Sequence, residues 1–383
     1  MKKFEDYQKI YSKDLCERVV PFWLKHSPDW ADGGTFSCLD KDGAVYDGKK
    51  YMWLVGRSVW MFCRLYNSLD KNPEYLKAAE LGLRFIEKNA VDPQGRYYFS
   101  LTKEGKPWFY QRKVYSAVFI MLAYLEYYNL KGDSRYYEKA VELFEKIKLW
   151  VADPSLLGRP NMPGRPPTSS LADVMVLASM AIELAYIEPK QEYIDVMKKS
   201  LCDIKAHFVS DKNILIETAA LGGEDISEHP EGRLFNPGHS IEAAWFLLHL
   251  LKFIPDEAME KMAYDVIKGS LDYGWDKKYG GIYYFMDLQN KPTLQLESSM
   301  KLWWPHTEAI YALGLAYRNT GEQIWLDWLS KVHEYAYSHF IDYDYGGWFG
   351  YCDRRGSLTH TCKGGNYKGF FHVPRALLFT SQL

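Results

Sequence analysis

Gly33-Gly34-Thr35-Phe36, followed by Asp40-Lys41-Asp42-Gly43, is one of three matching stretches in this chain. The second is Gly280-Gly281-Ile282-Tyr283 with Asp287-Leu288-Gln289-Asn290, and the third is Gly346-Gly347-Trp348-Phe349 with Asp353-Arg354-Arg355-Gly356. Each reads as a Gly-Gly entry, a short aromatic-rich alternating strand, a turn on Asp-x-x-Gly or Asn, and a return strand. That is the signature of a β-hairpin. Two weaker copies keep the register: Gly95-Arg96-Tyr97-Tyr98 with Thr102 and Gly105, and Asn213-Ile214-Leu215 with Ala219 and Gly222. The anchors fall at 34, 96, 213, 281 and 347, so the steps are 62, 117, 68 and 66. The step of 117 is near twice the others, which places a sixth, degenerate copy at Gly158–Pro167.

Segments of helical period lie between these hairpins. Tyr75–Lys88 and Glu138–Trp150 carry apolar residues on one side only, whereas Ala117–Tyr128, Met175–Ala185 and Ile241–Leu251 are apolar almost all round. Alternation of the two kinds predicts an inner ring of buried helices inside an outer ring. The expected fold is all-α: an (α/α)6 barrel, a toroid of six helical hairpins with short β-hairpins at one mouth. No linker or composition break divides residues 1–383, so one domain is expected.

Composition narrows the partners. The net charge of −2 comes without a basic run, which argues against nucleic acid and anionic membranes. No apolar stretch reaches the length of a membrane span, and the first residues lack a signal-peptide pattern, so a cytoplasmic protein is expected. The six cysteines form no Cys-x-x-Cys pair and read as free thiols; no metal-ligand spacing appears. The 30 Tyr, 19 Phe and 13 Trp suit both a large core and stacking on sugar rings.

The repeat also indicates where chemistry sits. Counting from the anchors leads to Arg57, His239, Glu308 and His372 at 23, 26, 27 and 25 positions. Equivalent positions of a ring converge on its axis, and four ionisable residues opening apolar helices are costly as core filling. Asn236-Pro237-Gly238-His239 supplies an N-cap and an early proline. Surrounding helix N-termini favour anionic intermediates and neutral histidines. Glu242, one turn beyond His239, is placed either to orient that histidine or to touch substrate. Trp303 and Trp304 are placed either to stack on a sugar or to pack. The other histidines singled out (His26, His207, His229, His249, His333, His339 and His360) read as structural or surface groups.

With these residues in view the chain resembles the N-acylglucosamine 2-epimerase family. The resemblance runs through Trp53–Arg57, Asn236–Trp245, Gly274–Phe285, Lys301–Glu308, Tyr345–Tyr351 and Lys363–Arg375. It departs from the family pattern at Ala172–Val176, around Asp173, and at Glu217-Thr218-Ala219, around Thr218. The resemblance implies an (α/α)6 barrel, often dimeric, with a catalytic arginine, glutamate and two histidines falling on Arg57, Glu308, His239 and His372. Asn236, Glu242, Lys301, Trp303 and Trp304 are the expected substrate-binding residues. It also implies interconversion of N-acetylglucosamine and N-acetylmannosamine, with ATP as an effector and no cofactor needed for the chemistry. The two histidines would exchange the proton at C2 of the opened sugar through an enediolate, Arg57 would hold the oxyanion, and Glu308 would bind hydroxyls or assist ring opening. Lys363–Gly369 is rich in Gly and Lys but lacks the P-loop pattern and reads as a loop.

Three alternatives use the same residues differently. A cellobiose 2-epimerase or aldose–ketose isomerase is expected to present a further pocket histidine, and Ser169–Met180 contains none. A glycoside hydrolase needs two separated carboxylates, for which Glu308 and Glu242 are the candidates. A binding protein without turnover needs no paired acid and base.

Overall fold

The structure is a computed structural model describing residues 2–160, 162–164 and 166–383. Its helices are α1 (Phe4–Asp14), α2 (Val20–His26), α3 (Met52–Ser68), α4 (Pro73–Asn89), α5 (Tyr115–Lys131), α6 (Ser134–Ala152), α7 (Leu171–Ile187), α8 (Gln191–Ala206), α9 (Pro237–Leu250), α10 (Glu257–Gly274), α11 (Trp303–Thr320), α12 (Gln323–His339) and α13 (His372–Ser381). α3, α5, α7, α9, α11 and α13 form the inner ring, and each packs on the next. α4, α6, α8, α10 and α12 lie outside their partners, which gives the expected (α/α)6 toroid. The sixth outer position goes to the N-terminus, since α1 packs on α13. A π-helical segment, Leu15–Val19, joins α1 to α2. Pro21 explains it: proline has no N–H for the carbonyl four residues back and its ring crowds that carbonyl.

The amphipathic and all-apolar segments became outer and inner helices as their patterns require. α5 buries an unbroken run from Ser116 to Tyr127, whereas α6 buries only Ala140, Leu143, Phe144 and Ile147. Of the six free cysteines, Cys38, Cys63 and Cys352 are buried, Cys362 is half-buried, and Cys16 and Cys202 are exposed. No helix among the described residues is long and apolar enough to cross a membrane.

The Gly-Gly entries need their glycines: Gly33, Gly34, Gly280, Gly281, Gly346 and Gly347 all have φ between 67° and 86°. Behind each entry an aspartate (Asp29, Asp276, Asp342) closes the loop through its backbone and caps it with its side chain. A lysine then buries itself against that aspartate: Lys50 with Asp29 at 2.6 Å, Lys301 with Asp276 at 3.2 Å, and Lys363 with Asp342. All three lysines have no exposed surface. This repeated ion pair was not read from the sequence.

Two departures concern the hairpins. After Gly280-Gly281 the strand Met286–Asp287 pairs with Leu234–Phe235 of the preceding repeat, and the chain returns only at Met300, which accepts from Tyr284. Lys50–Tyr51 likewise pairs with Ser100–Leu101, and Lys301–Leu302 with Tyr351–Cys352, so these hairpins stitch neighbouring repeats around the mouth. The sixth copy, expected at Gly158–Pro167, includes Asn161 and Arg165, which lie outside the described residues. Its flanks hold a 3-10 turn, Pro154–Leu157, and the strand Thr168–Ser170 in place of a hairpin.

Removing one member of a buried pair strands the other charge in the interior. Asp29→Asn should therefore lower unfolding free energy by ~3–5 kcal/mol in denaturant melts. Glu17→Gln, which breaks the exposed Lys13–Glu17 pair, should cost ~1 kcal/mol or less.

Candidate active site

The inner helices enclose one cavity of about 780 Å3 along the barrel axis. Arg57, His239, Glu242, Glu217 and Arg375 line its upper half together with Trp53, Phe119 and Phe371. Arg57 sits in the second turn of α3, His239 and His372 in the first turns of α9 and α13, and Glu308 in the second turn of α11. The spacing of the repeat thus brings these four side chains to one level of the ring.

Arg57 is buried, with its guanidinium 4.4 Å from the Trp53 ring centroid, 3.9 Å from Phe119 and 4.5 Å from Phe371. It has no carboxylate partner among the described residues, and its Nε is buried without a hydrogen-bond partner. Burial, assisted by the nearby Arg375, pulls its pKa down to about 9. A cation held by three aromatic faces and left unpaired is ready for an anionic ligand atom.

The two histidines are mounted alike and shifted oppositely. His239 Nδ1 lies 2.8 Å from Glu217, and His372 Nδ1 lies 2.7 Å from Glu308. Each carboxylate accepts a hydrogen bond from Nδ1–H, which leaves Nε2 for other work. Burial opposes a charge on His239, but Glu217, Glu242 and Glu308 outweigh it and raise its pKa above the usual imidazole value. Burial, Arg57 and Arg375 push His372 well below that value. The surroundings thus favour the protonated form of His239 and the neutral form of His372, relative to a free imidazole. Helix N-termini were expected to keep both neutral; the acidic neighbours of His239 prevail there.

Neither His372, which is 8% exposed behind Phe371 and Arg375, nor Glu308 is on the cavity wall. Glu308 is 1% exposed, and both of its oxygens are engaged: Trp245 Nε1 donates at 3.0 Å, and His372 and Arg375 contact the other oxygen at 2.7 Å each. In this arrangement it holds the His372 ring, and its burial sets it behind the surface that a sugar would meet. Arg375, three residues beyond His372, also binds Glu242 at 2.7 Å. Glu242, Glu308 and His372 are close enough together to hold a metal ion, but the Arg375 guanidinium already fills the gap between the carboxylates. Arg375 and Glu217 were not singled out as site residues. The available signals were an arginine in the apolar helix α13 and a glutamate at the bend between the strands Ile214–Leu215 and Thr218–Ala220.

Four expected substrate contacts are absent from the cavity wall. Asn236 is fully buried and caps α9 by accepting from His239 N at 3.2 Å. Trp304 stands between the histidines, 5.0 Å from His239 and 5.8 Å from His372 by ring centroids, and so packs instead of stacking on a ligand. Trp303 packs on Tyr351 and His372. Lys301 is held by Asp276 in the Gly-Gly framework. Glu242 does reach the cavity, but its partner is Arg375, not His239. Lys363 and Lys368 are both turned inward, Lys368 donating to Trp348 O, so the Gly- and Lys-rich stretch has no phosphate-binding face.

Comparison with known proteins places these observations. The model of the N-acylglucosamine 2-epimerase (GlcNAc 2-epimerase) family matches residues 34–376. N-acylglucosamine 2-epimerase of Bos taurus is 40% identical over 96% of this chain and 89% of its own length. That of Mus musculus is 38% identical over 100% and 94%. Among solved structures, cellobiose 2-epimerase from Bacillus thermoamylovorans superposes with a TM-score of 0.86 over 99% of this chain and 100% of that one, at 21% identity, a likeness of fold. By the family match and by these full-length relatives, the chain is an epimerase of the N-acylglucosamine 2-epimerase family.

Proposed function

We propose that the chain interconverts N-acetyl-D-glucosamine and N-acetyl-D-mannosamine by exchanging the proton at C2 of the ring-opened sugar. The observation that carries this reading is the pair of imidazoles on α9 and α13, each fixed through Nδ1 by its own glutamate and shifted in opposite directions from the usual imidazole pKa. Inversion at carbon needs one base and one acid on opposite faces, and in this reading the pair supplies them.

In the open chain the C1 aldehyde acidifies C2–H. Neutral His372 takes that proton on Nε2, and the C2–H electron pair moves into the C1–C2 bond while the carbonyl oxygen gains the charge. For an acylated C2 nitrogen the intermediate is an acylamino-enolate. Arg57, the unpaired buried cation, holds that oxygen, a contact worth ~3 kcal/mol in a water-poor site. His239 then delivers its Nε2 proton to the other face of C2, and the oxygen returns to the carbonyl form. Proton exchange with solvent resets both rings. C1 and C2 end at their starting oxidation levels, so no electron carrier enters. ATP acts, in this reading, as an effector outside the bond changes.

The arrangement speaks against a glycosidase. Glu308 and Glu242 converge on the single Arg375 Nη2 and leave no gap for a scissile bond between them. The 40% identity to the bovine enzyme, against 21% to the solved cellobiose 2-epimerase, favours the N-acyl sugar over cellobiose.

Proton NMR in D2O, with and without ATP, should show each epimer turning into the other with deuterium at C2. Appearance of unlabelled product would refute proton exchange with solvent. His239→Asn and His372→Asn should each lower epimerisation by ~100-fold or more. Each should still exchange C2–H of one epimer only, and the epimer should differ between the two variants. The pH profile of kcat/KM requires neutral His372 and protonated His239. The depressed pKa of His372 sets an acid limb below the usual imidazole range, and the raised pKa of His239 sets an alkaline limb above it. Glu217→Gln removes the main charge that raises His239, so the alkaline limb should move to lower pH while the acid limb stays.

A further inference from the structure

The axial cavity continues well below the histidines. Along α3 it runs from Arg57 to Arg64, and along α9 from His239 to His249, distances of ~10 and ~15 Å at the rise of an α-helix. Its lining changes character on the way. Beneath the catalytic level the wall is mostly apolar, with Trp60, Leu122, Ile182 and Trp245 buried and the half-buried Ser179 among them. Further on the wall turns polar again, with Arg64, Asn129, Glu183 and His249. Both ends reach the surface: Tyr367 is 55% exposed at the mouth and Tyr186 is 54% exposed at the far end.

The far end is built, not incidental. Arg64 Nη2 contacts Glu126 at 3.0 Å and Glu183 at 3.2 Å, and Asn67 donates to Glu126 at 2.6 Å. Arg64 Nε is nonetheless buried without a hydrogen-bond partner among the described residues. His249 meets Tyr311 OH at 2.7 Å through Nε2. The proposed mechanism uses none of these groups. A monosaccharide bound at the histidines cannot also satisfy them, because Arg64 lies ~10 Å further along α3 than Arg57.

We propose that the far end of the barrel is a second binding site, for a neutral polyhydroxylated ligand, with a second molecule of the N-acylated amino sugar as its occupant. Three features select this class. Donors and acceptors are mixed, as hydroxyl groups require. Tyr186 packs edge-on against Phe253 at 5.0 Å and offers an exposed aromatic surface at the opening. The Arg64 guanidinium is already shared by two carboxylates, so it is not a free cation for a phosphate or nucleotide. The choice of occupant rests on the substrate proposed above; the site's chemical class does not.

The test is calorimetric titration of the epimerisation-deficient His372→Asn protein with N-acetylglucosamine. Two binding events are expected. Adding Glu183→Gln should weaken one event about tenfold, the loss of a charge-assisted hydrogen bond, and leave the other unchanged. Asn129→Trp, at an exposed position that narrows the far opening, should do the same if Glu183→Gln perturbs folding. In the otherwise wild-type enzyme Glu183→Gln should keep kcat/KM within about twofold. A single binding event in His372→Asn, or a fall in kcat/KM comparable to the loss of binding, would overturn the proposal. Turnover of N-acetylglucosamine by the unmodified enzyme is measured separately, so failure of the substrate reading shows there and not in the stoichiometry.

Discussion

A single buried carboxylate organises the centre of this barrel. Glu308 enters from α11 and is contacted by Trp245 of α9 and by His372 and Arg375 of α13. Three of the six inner helices are thereby joined at the depth where chemistry occurs. A charge so buried is tolerated only when its lone pairs are all answered. The same contacts fix the His372 tautomer and place Arg375 against Glu242. The electrostatic contrast between the histidines follows, since His372 faces two arginines while His239 faces carboxylates.

The framework obeys a second economy. The mouth is built from loops that need left-handed glycines and capping aspartates, and three of them are pinned by a lysine with no exposed surface. These pairs hold the strands preceding α3 and α11, and with them the starts of the helices that carry Arg57 and Glu308. Framework and site share residue types, and that shared chemistry is why Lys301 reads as a substrate ligand in the sequence.

The fold was legible because its signals are local. Gly-Gly entries, turn glycines and the contrast between all-apolar and one-sided helices each report their own neighbourhood, and the period assembles them. The level of the active site was legible for the same reason: equivalent positions of a ring meet at its axis. What stayed hidden depends on contacts between distant residues. Arg375 pairs with Glu242 across 133 positions, and His239 meets Glu217 from another element. Trp304 is conspicuous as a tryptophan beside a proline, yet only the structure sets it between two imidazoles. The closure of the sixth pair by α1 is likewise nonlocal, because it joins the two ends of the described chain.

That closure has a bearing on how the enzyme comes into being. α13 is the last inner helix, it brings His372, and its outer mate is the first helix of the chain. Five pairs can stack as each is completed, but the ring cannot shut until the final helix meets the earliest one. Contacts this far apart in sequence form late and slowly. The helix that carries His372 is held from inside by α11 and α3 and from outside by α1, so the contact that shuts the ring also completes the support of that histidine.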